Sequence, residues 1–254
     1  MNAGITGRLV ILSGPSCVGK TPLHKALSKF YPEVDERLQK LVLFNSRRPR
    51  PGEKDGVDYH FRTRLQIEEL RKSSRYAVLE VRSDLQALDI EGLKDSLRHS
   101  DVVFEGNPVI GRTLQTHAGL SGIKKLGIFL SPLSRDEILY LRDPKRNVVL
   151  SEFVADVMRR KLLRRTKRQK GELSLRDLED VETRASNAYR ELGEGWRFEN
   201  IIPNHDGEDS DNWESFYFLI GDARKTLQAF HGLLQGDRLP IVETWEEELL
   251  PAQA

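Results

Sequence analysis

Apolar residues recur along the chain in two alternating patterns. Compact runs of strand character are RLVILS (8–13), LVLF (41–44), YAVLEV (76–81), DVVFE (101–105), KKLGIFLS (124–131) and ENIIP (199–203). Between them lie PLHKALSKF, RLQIEELRKSS, IEGLKDSLRH and VIGRTLQTH, whose apolar positions repeat at helical spacing. The alternation predicts an α/β fold, a mostly parallel sheet covered by helices. Thr63 with Gln66 and Ser134 with Glu137 have the spacing of a capping box and mark two helix starts.

From residue 142 to 192 the pattern changes to long, heavily charged helical sequence with NVVL as its one strand-like run. It predicts two helices joined by a basic turn near Lys167 to Gly171. A polar stretch, NHDGEDSDNWES, follows, then a helix over GDARKTLQAFHGLL and an acidic tail.

Composition narrows the class. In 254 residues, 38% hydrophobic and 31% charged, there is enough apolar sequence for one sizeable core or a core with an appendage. Forty Lys and Arg against 39 Asp and Glu create no global field for nucleic acid or membrane. A lone cysteine, Cys17, excludes an internal disulfide. No secretory leader pattern and no bilayer-length apolar run is present, so the cytoplasm is the expected compartment. The six histidines show no metal-ligand spacing, and the three tryptophans are expected to pack the helical segment's base and the C-terminal helices.

GPSCVGKT, residues 14–21, fits G-x-x-x-x-G-K-[ST] between a predicted strand and a predicted helix, the context in which that pattern cradles phosphate. Backbone N–H groups of Gly14, Pro15, Ser16, Cys17, Val18 and Gly19, less the proline's, would line the cradle, and the helix start adds positive potential. Lys20 would reach the outer phosphates of ATP and the Thr21 hydroxyl would ligate Mg²⁺. Pro22 falls in the first helical turn, where its missing N–H costs little.

A second constellation, NSRRPRPGEKDGVDYHF (45–61), sets Arg47, Arg48 and Arg50 among prolines and ends on Tyr59. Arginines on a stiff turn suit a separate phosphate, because the guanidinium fork matches phosphate oxygens bidentately.

Together, the phosphate loop and SRRPRPGEKDGVDYHF some thirty residues on resemble the guanylate kinase family, strongly over residues 7 to 80. The resemblance implies a P-loop core over 1–141 with an acceptor segment near 45–100, a helical lid over 142–195, and a return to the core over 196–254. It also implies that Arg47, Arg50 and Tyr59 bind the acceptor's phosphate and that Glu80 reads a guanine base. Glu105 would organise Mg²⁺ through water and Asn107 would face the acceptor. Arg165 and Arg184 resemble lid arginines that close on the phosphates, and Asn204 resembles an asparagine near the adenine.

Departures cluster on the acceptor side. After Glu80 the family has a Gly-Asn-Tyr-Tyr-Gly-Thr-type segment, where this chain reads VRSDLQALDIEGL. Leu43 stands where a base-contacting serine is usual, Asn107 replaces an aspartate, and Cys17 replaces a loop glycine. At positive φ a cysteine there carries strain; a buried inert thiol is expected over an oxidation switch. The basic run MRRKLLRRTKRQK (158–170) lacks interleaved aromatics for stacking on bases, which fits a lid better than nucleic acid.

The expected activity is transfer of the ATP γ-phosphoryl group to a nucleoside monophosphate, GMP or dGMP first. Ribose 1,5-bisphosphate is a rival acceptor. A non-catalytic guanylate-kinase-like binding module is a rival of another class, against which Lys20 and Thr21 stand. Neither a nucleic acid nor a membrane partner is expected, and the sequence leaves oligomeric state open.

Overall fold

The computed structural model describes residues 4–50, 52–215 and 217–251. Its strands are β1 (Leu9–Ser13), β2 (Leu38–Lys40), β3 (Phe44–Asn45), β4 (His60–Phe61), β5 (Tyr76–Val81), β6 (Asp84–Asp89), β7 (Asp101–Gly106), β8 (Lys125–Ser131) and β9 (Asn200–Pro203). Its α-helices begin with α1 (Lys20–Phe30), α2 (Pro32–Asp35), α3 (Arg64–Leu70), α4 (Ile90–Leu97) and α5 (Pro108–Thr116). They continue with α6 (Arg135–Arg142), α7 (Leu150–Lys170), α8 (Leu175–Ser186), α9 (Ala188–Leu192) and α10 (Gly221–Gln235).

Five strands form a parallel sheet in the order β2-β7-β1-β8-β9. All five residues of β1 are buried, which is why LVILS reads as a continuous apolar run rather than an alternating one. A second sheet has the order β4-β3-β6-β5, with β3–β4 parallel and β3–β6 and β5–β6 antiparallel. The α/β class and the parallel sheet are those the sequence predicts.

Two compact units are distinguished. One comprises Met1–Ile11, Glu36–Glu105 and Val109–Leu126 and contains the whole four-stranded sheet with α3 and α4. The other comprises Leu12–Asp35, Gly106–Pro108 and Gly127–Ala254 and contains the GPSCVGKT loop, α1 and α6 to α10.

Both expected capping boxes are present, at Thr63 before α3 and Ser134 before α6. The two charged helices are α7 and α8; α7 buries Leu150, Val154, Met158 and Leu162, a stripe with one residue per turn that holds an otherwise polar helix in place. Gly171, at φ 76°, ends α7.

Two expectations need correction. LVLF is not a strand: the chain leaves β2, Leu41 N–H still bonds Val103 O, and Leu41–Leu43 crosses to β3. NVVL is the entry to α7, with Asn147 at φ 52° closing the turn before it. The acidic tail packs back onto the protein as far as Pro251. Glu243 pairs with Ile201, Trp245 is buried against Phe129, and Tyr189 Oη donates to Pro251 O at 2.9 Å. Trp213 is likewise buried, whereas Trp196 is half-buried with the Arg197 guanidinium stacked on it.

Candidate active site

The loop between β1 and α1 turns on itself through three special backbone conformations: Gly14 at φ 151°, Cys17 at φ 66° and Gly19 at φ 103°. Gly19 is the N-cap of α1 with no side-chain cap, so the helix's first N–H groups have no side chain of the cap to serve. A Cβ on Gly19 would stand 2.5 Å from Asn204 Nδ2, so glycine is required by close approach as well as by φ. Lys20 is buried and its Nζ donates to Gly14 O at 2.9 Å and Pro15 O at 2.7 Å. Its ammonium is thereby held at the loop. Thr21, in the first turn of α1, is exposed.

Cys17 is buried at 1% exposure and occupies the left-handed region that favours glycine. Burial, with Glu208 adding to it, pushes its thiol far above the usual range, and Arg165 opposes them. The thiolate is suppressed, as the expectation of an inert cysteine requires.

Asn204 was expected near the adenine, and the structure gives its side chain a different role. It is fully buried, and Nδ2 donates to Val18 O and to Asp206 O, both at 2.7 Å, while Oδ1 accepts from Asp206 N–H at 3.2 Å. It therefore braces the phosphate loop from behind. Trp213 Nε1 completes this brace by donating to Asp206 O at 2.9 Å.

The two lid arginines of the sequence reading differ in what they touch. Arg184, on α8 and buried, donates from Nε to Ser16 Oγ at 3.2 Å and pairs with Asp180 at 3.2 Å. Arg165, on α7, pairs with Glu208 at 3.7 Å. It belongs to a row in which Lys161 and Arg164 lie 3.9 and 3.8 Å from Asp209 and Arg168 lies 2.8 Å from Asp211. The basic run of α7 is thus matched by the GEDSD loop, a contact that separate readings of the two segments could not supply. Asn107 donates to the buried Glu191 of α9 at 2.7 Å. An aspartate at 107 would set two carboxylates against each other, which accounts physically for the amide.

In the other unit, Arg47 is locked by Glu53: two hydrogen bonds of 2.6 Å join the guanidinium fork to the carboxylate. The same Glu53 accepts Arg50 N–H at 2.7 Å. Arg47 also lies over Tyr59 and Phe61, 5.1 and 5.5 Å from their ring centroids. Burial works to lower the Arg47 pKa, but the Glu53 carboxylate outweighs it and the net direction is up. Burial likewise would raise Glu53, and its bonds to Arg47 and Arg50 hold it below the ordinary carboxylate value. Burial raises Tyr59, against Arg47; Glu53 and Glu105 also push it up. Glu53, whose role sequence reasoning missed, is the residue that organises the arginines; the signal was its place three positions after Arg50.

Glu80 departs from the expectation of a base reader. It is exposed and pairs with Arg64 of α3 at 3.5 Å, away from Arg47 and Tyr59.

A glycine-rich loop from a buried parallel strand into an uncapped helix, with a lysine folded onto it, has the geometry of a P-loop. Residues 6–85 match the guanylate kinase family model, so this segment of the chain is similar to that family. A guanylate kinase of Rickettsia bellii is 41% identical over 70 residues, covering 28% of this chain and 35% of its own. One from Bacillus cereus is 33% identical over 133 residues, 52% of this chain and 62% of its own. The chain thus spans from about a third to three fifths of these curated relatives. A crystal structure of guanylate kinase from Anaplasma phagocytophilum matches 92% of this chain and 86% of its own with a TM-score of 0.51 at 16% identity, which shows a shared fold. No helix among the described residues is long and apolar enough to cross a membrane.

Proposed function

We propose that this protein is an ATP-dependent kinase of the guanylate kinase kind, which moves the γ-phosphoryl group of ATP to a nucleoside monophosphate, with GMP or dGMP as acceptor. The observation that carries the reading is the Arg184 guanidinium on Ser16 of a phosphate loop whose Lys20 is in place. A binding module that had left catalysis would have no use for either.

In this reading α7 and α8 form the lid. Lys20 and the loop N–H groups hold the donor phosphates, and Arg184 stabilises charge on the transferred oxygens. Arg47, Arg50 and Tyr59 orient the acceptor phosphate, which is already anionic at neutral pH and needs no general base. An oxygen of that phosphate attacks the γ-phosphorus, and ADP leaves. The Thr21 hydroxyl, exposed in the first turn of α1, fits a Mg²⁺ ligand; the ion when bound supplies charge neutralisation on the outer phosphates. Arg165 serves the lid through Glu208. ATP use and a lone buried cysteine fit the cytoplasm.

The test is ADP release over a panel of GMP, dGMP, AMP, IMP, UMP, CMP and ribose 1,5-bisphosphate, with Mg²⁺ present and absent and Lys20→Ala as control. Turnover on GMP or dGMP that vanishes in Lys20→Ala supports the reading. Turnover on ribose 1,5-bisphosphate alone selects that rival acceptor. Silence on every acceptor while Mg·ATP still binds, or turnover that persists in Lys20→Ala, overturns it.

A further inference from the structure

We propose that the acceptor's base is read by Asp84, Gln86 and Asn45 and not by Glu80, and that the ligand class is a purine monophosphate with adjacent N–H donors on its base edge, as in guanine. This assignment rests on the kinase reading above.

Sheet register decides which face each side chain occupies. Asn45 of β3 stands opposite Gln86 of β6, Gln86 opposite Leu79 of β5, Glu80 opposite Leu85, and Val81 opposite Asp84. Opposed residues share a face and successive residues alternate. Glu80 therefore shares a face with Leu85, Ala87, Val78 and Phe44, the face packed by Ile67 and Leu70. Its carboxylate emerges on that side beside Arg64.

Asp84, Gln86, Leu79 and Asn45 share the opposite face. Phe61 of β4 is the partner of Asn45 and so lies there too, and Arg47 covers the Phe61 ring. The face with Asp84 is thus the face that carries the Arg47–Tyr59 phosphate cluster. Its register is set by the turn Arg82–Ser83, where Arg82 takes φ 60° as a tight two-residue hairpin requires. The stretch VRSDLQALD, which breaks the family pattern in sequence, folds to put a new carboxylate and a new amide on the acceptor side.

These three side chains carry hydrogen-bonding groups without partners among the described residues. Asn45 is 1% exposed; its Oδ1 accepts Arg47 N–H at 3.1 Å, which fixes the amide's orientation, and its buried Nδ2 has no partner. Gln86 is 9% exposed, and no hydrogen bond is formed by its amide among the described residues. The carboxylate of Asp84, which is half-buried, forms no hydrogen bond or ion pair among the described residues, though its charge helps raise the Arg47 pKa. One face thus holds an unpaired acceptor pair, an unpaired amide and an unpaired donor.

Their chemistry selects a ligand. A carboxylate accepts two neighbouring donors, as the N1–H and 2-amino group of guanine provide, and repels the N1 lone pair of adenine. The amides donate to ring or carbonyl acceptors of the same base. A site of this kind rejects an analogue that lacks one of the matched groups.

The experiment is calorimetric titration of the full chain with GMP, IMP and AMP in the absence of ATP, for wild type, Asp84→Asn, Glu80→Gln and Gln86→Leu. The wild type is expected to prefer GMP over IMP, which lacks the 2-amino group, by about tenfold or more. Asp84→Asn should weaken GMP by about tenfold and bring GMP and IMP within roughly twofold, while Glu80→Gln stays within about twofold of wild type. Mg·ATP affinity should be unchanged in both.

Unaltered GMP binding in Asp84→Asn overturns the proposal, as does a tenfold loss in Glu80→Gln or a wild type that binds no purine monophosphate. ADP release on the acceptor panel reads the kinase proposal separately. Turnover on a sugar phosphate without purine binding removes the base assignment and keeps the kinase. Purine binding lost in Asp84→Asn, with no ADP release from any acceptor, keeps the site and removes the kinase.

Discussion

Arg184 reaches the phosphate loop directly, donating from Nε to Ser16 Oγ at 3.2 Å. The contact joins residues 168 positions apart, and Asp180, one turn earlier on α8, restrains the guanidinium from the other side at 3.2 Å. A buried arginine so restrained is organised before any ligand arrives, the condition under which charge stabilisation is strongest.

Replacing Arg184 by Lys keeps the charge and loses the planar fork. Because an arginine aimed at transferred phosphate acts mainly in the transition state, kcat for ADP release is expected to fall about 10²-fold or more. Mg·ATP affinity should change by less than about fivefold, since the loop and Lys20 are untouched. Stopped-flow ADP release and equilibrium titration give the two numbers; equal losses in both would place Arg184 in ground-state binding.

Asn204→Leu removes the brace behind the loop. Val18 O loses this donor and Asp206 N–H loses its acceptor in a buried place, while Asp206 O keeps the Trp213 indole, and each orphaned group costs about 1–3 kcal/mol. Urea denaturation should show a loss of roughly 2–4 kcal/mol, and Mg·ATP should bind more weakly in the same variant. A stability change below about 0.5 kcal/mol would mean that these bonds are replaced by water.

How much of this was legible depends on whether the chemistry is contiguous. Lys20 and Thr21, or Arg47, Arg50 and Tyr59, sit within short motifs whose spacing carries the role proposed for them. Glu80 could not be placed that way, because its face is decided by the partner strand and by the turn at Arg82, and a shift of one residue reverses it. Strands β3 and β4, two residues each, leave no period to read. Asn204 meets Val18 across 186 positions, and no local pattern reports such a contact. The basic helix and the acidic loop were each visible as charge; only the fold shows that they neutralise one another.

Cys17 sets two effects against each other. Glycine there would relieve a left-handed conformation worth about 1–2 kcal/mol, but it forfeits the buried thiol and adds unfolded-state entropy of about 0.5–1 kcal/mol. Cys17→Gly should therefore fall within about 1 kcal/mol of wild type, and Cys17→Val, β-branched at positive φ, should cost roughly 2 kcal/mol or more. In the native protein the thiol should react with a disulfide reagent only as fast as the chain unfolds. Rapid native labelling would show that the loop opens on its own.

His205 links three elements. Its Nδ1 meets Asp222 of α10, its Nε2 lies 2.9 Å from both oxygens of Glu137 of α6, and its carbonyl accepts from Lys161 of α7. Burial works to lower its pKa, but the two carboxylates outweigh it and the folded value lies above the ordinary 6.5. A histidine raised on folding contributes stability that is whole below its unfolded pKa and is lost as pH rises through the folded one. Asp222 and Glu137 are lowered despite burial, so their share is present above ordinary carboxylate values and lost in acid. Both shares coexist near pH 6. Because His205 is half-exposed, the ion pairs are screened and the contribution is about 0.5–1 kcal/mol. The stability difference between wild type and His205→Gln, from urea curves at pH 6 and pH 9, should be about that size at the lower pH and approach zero at the higher. A difference that is constant with pH would assign His205 a packing role in holding the loop from Asn204 to Trp213 and would remove the charge from the explanation.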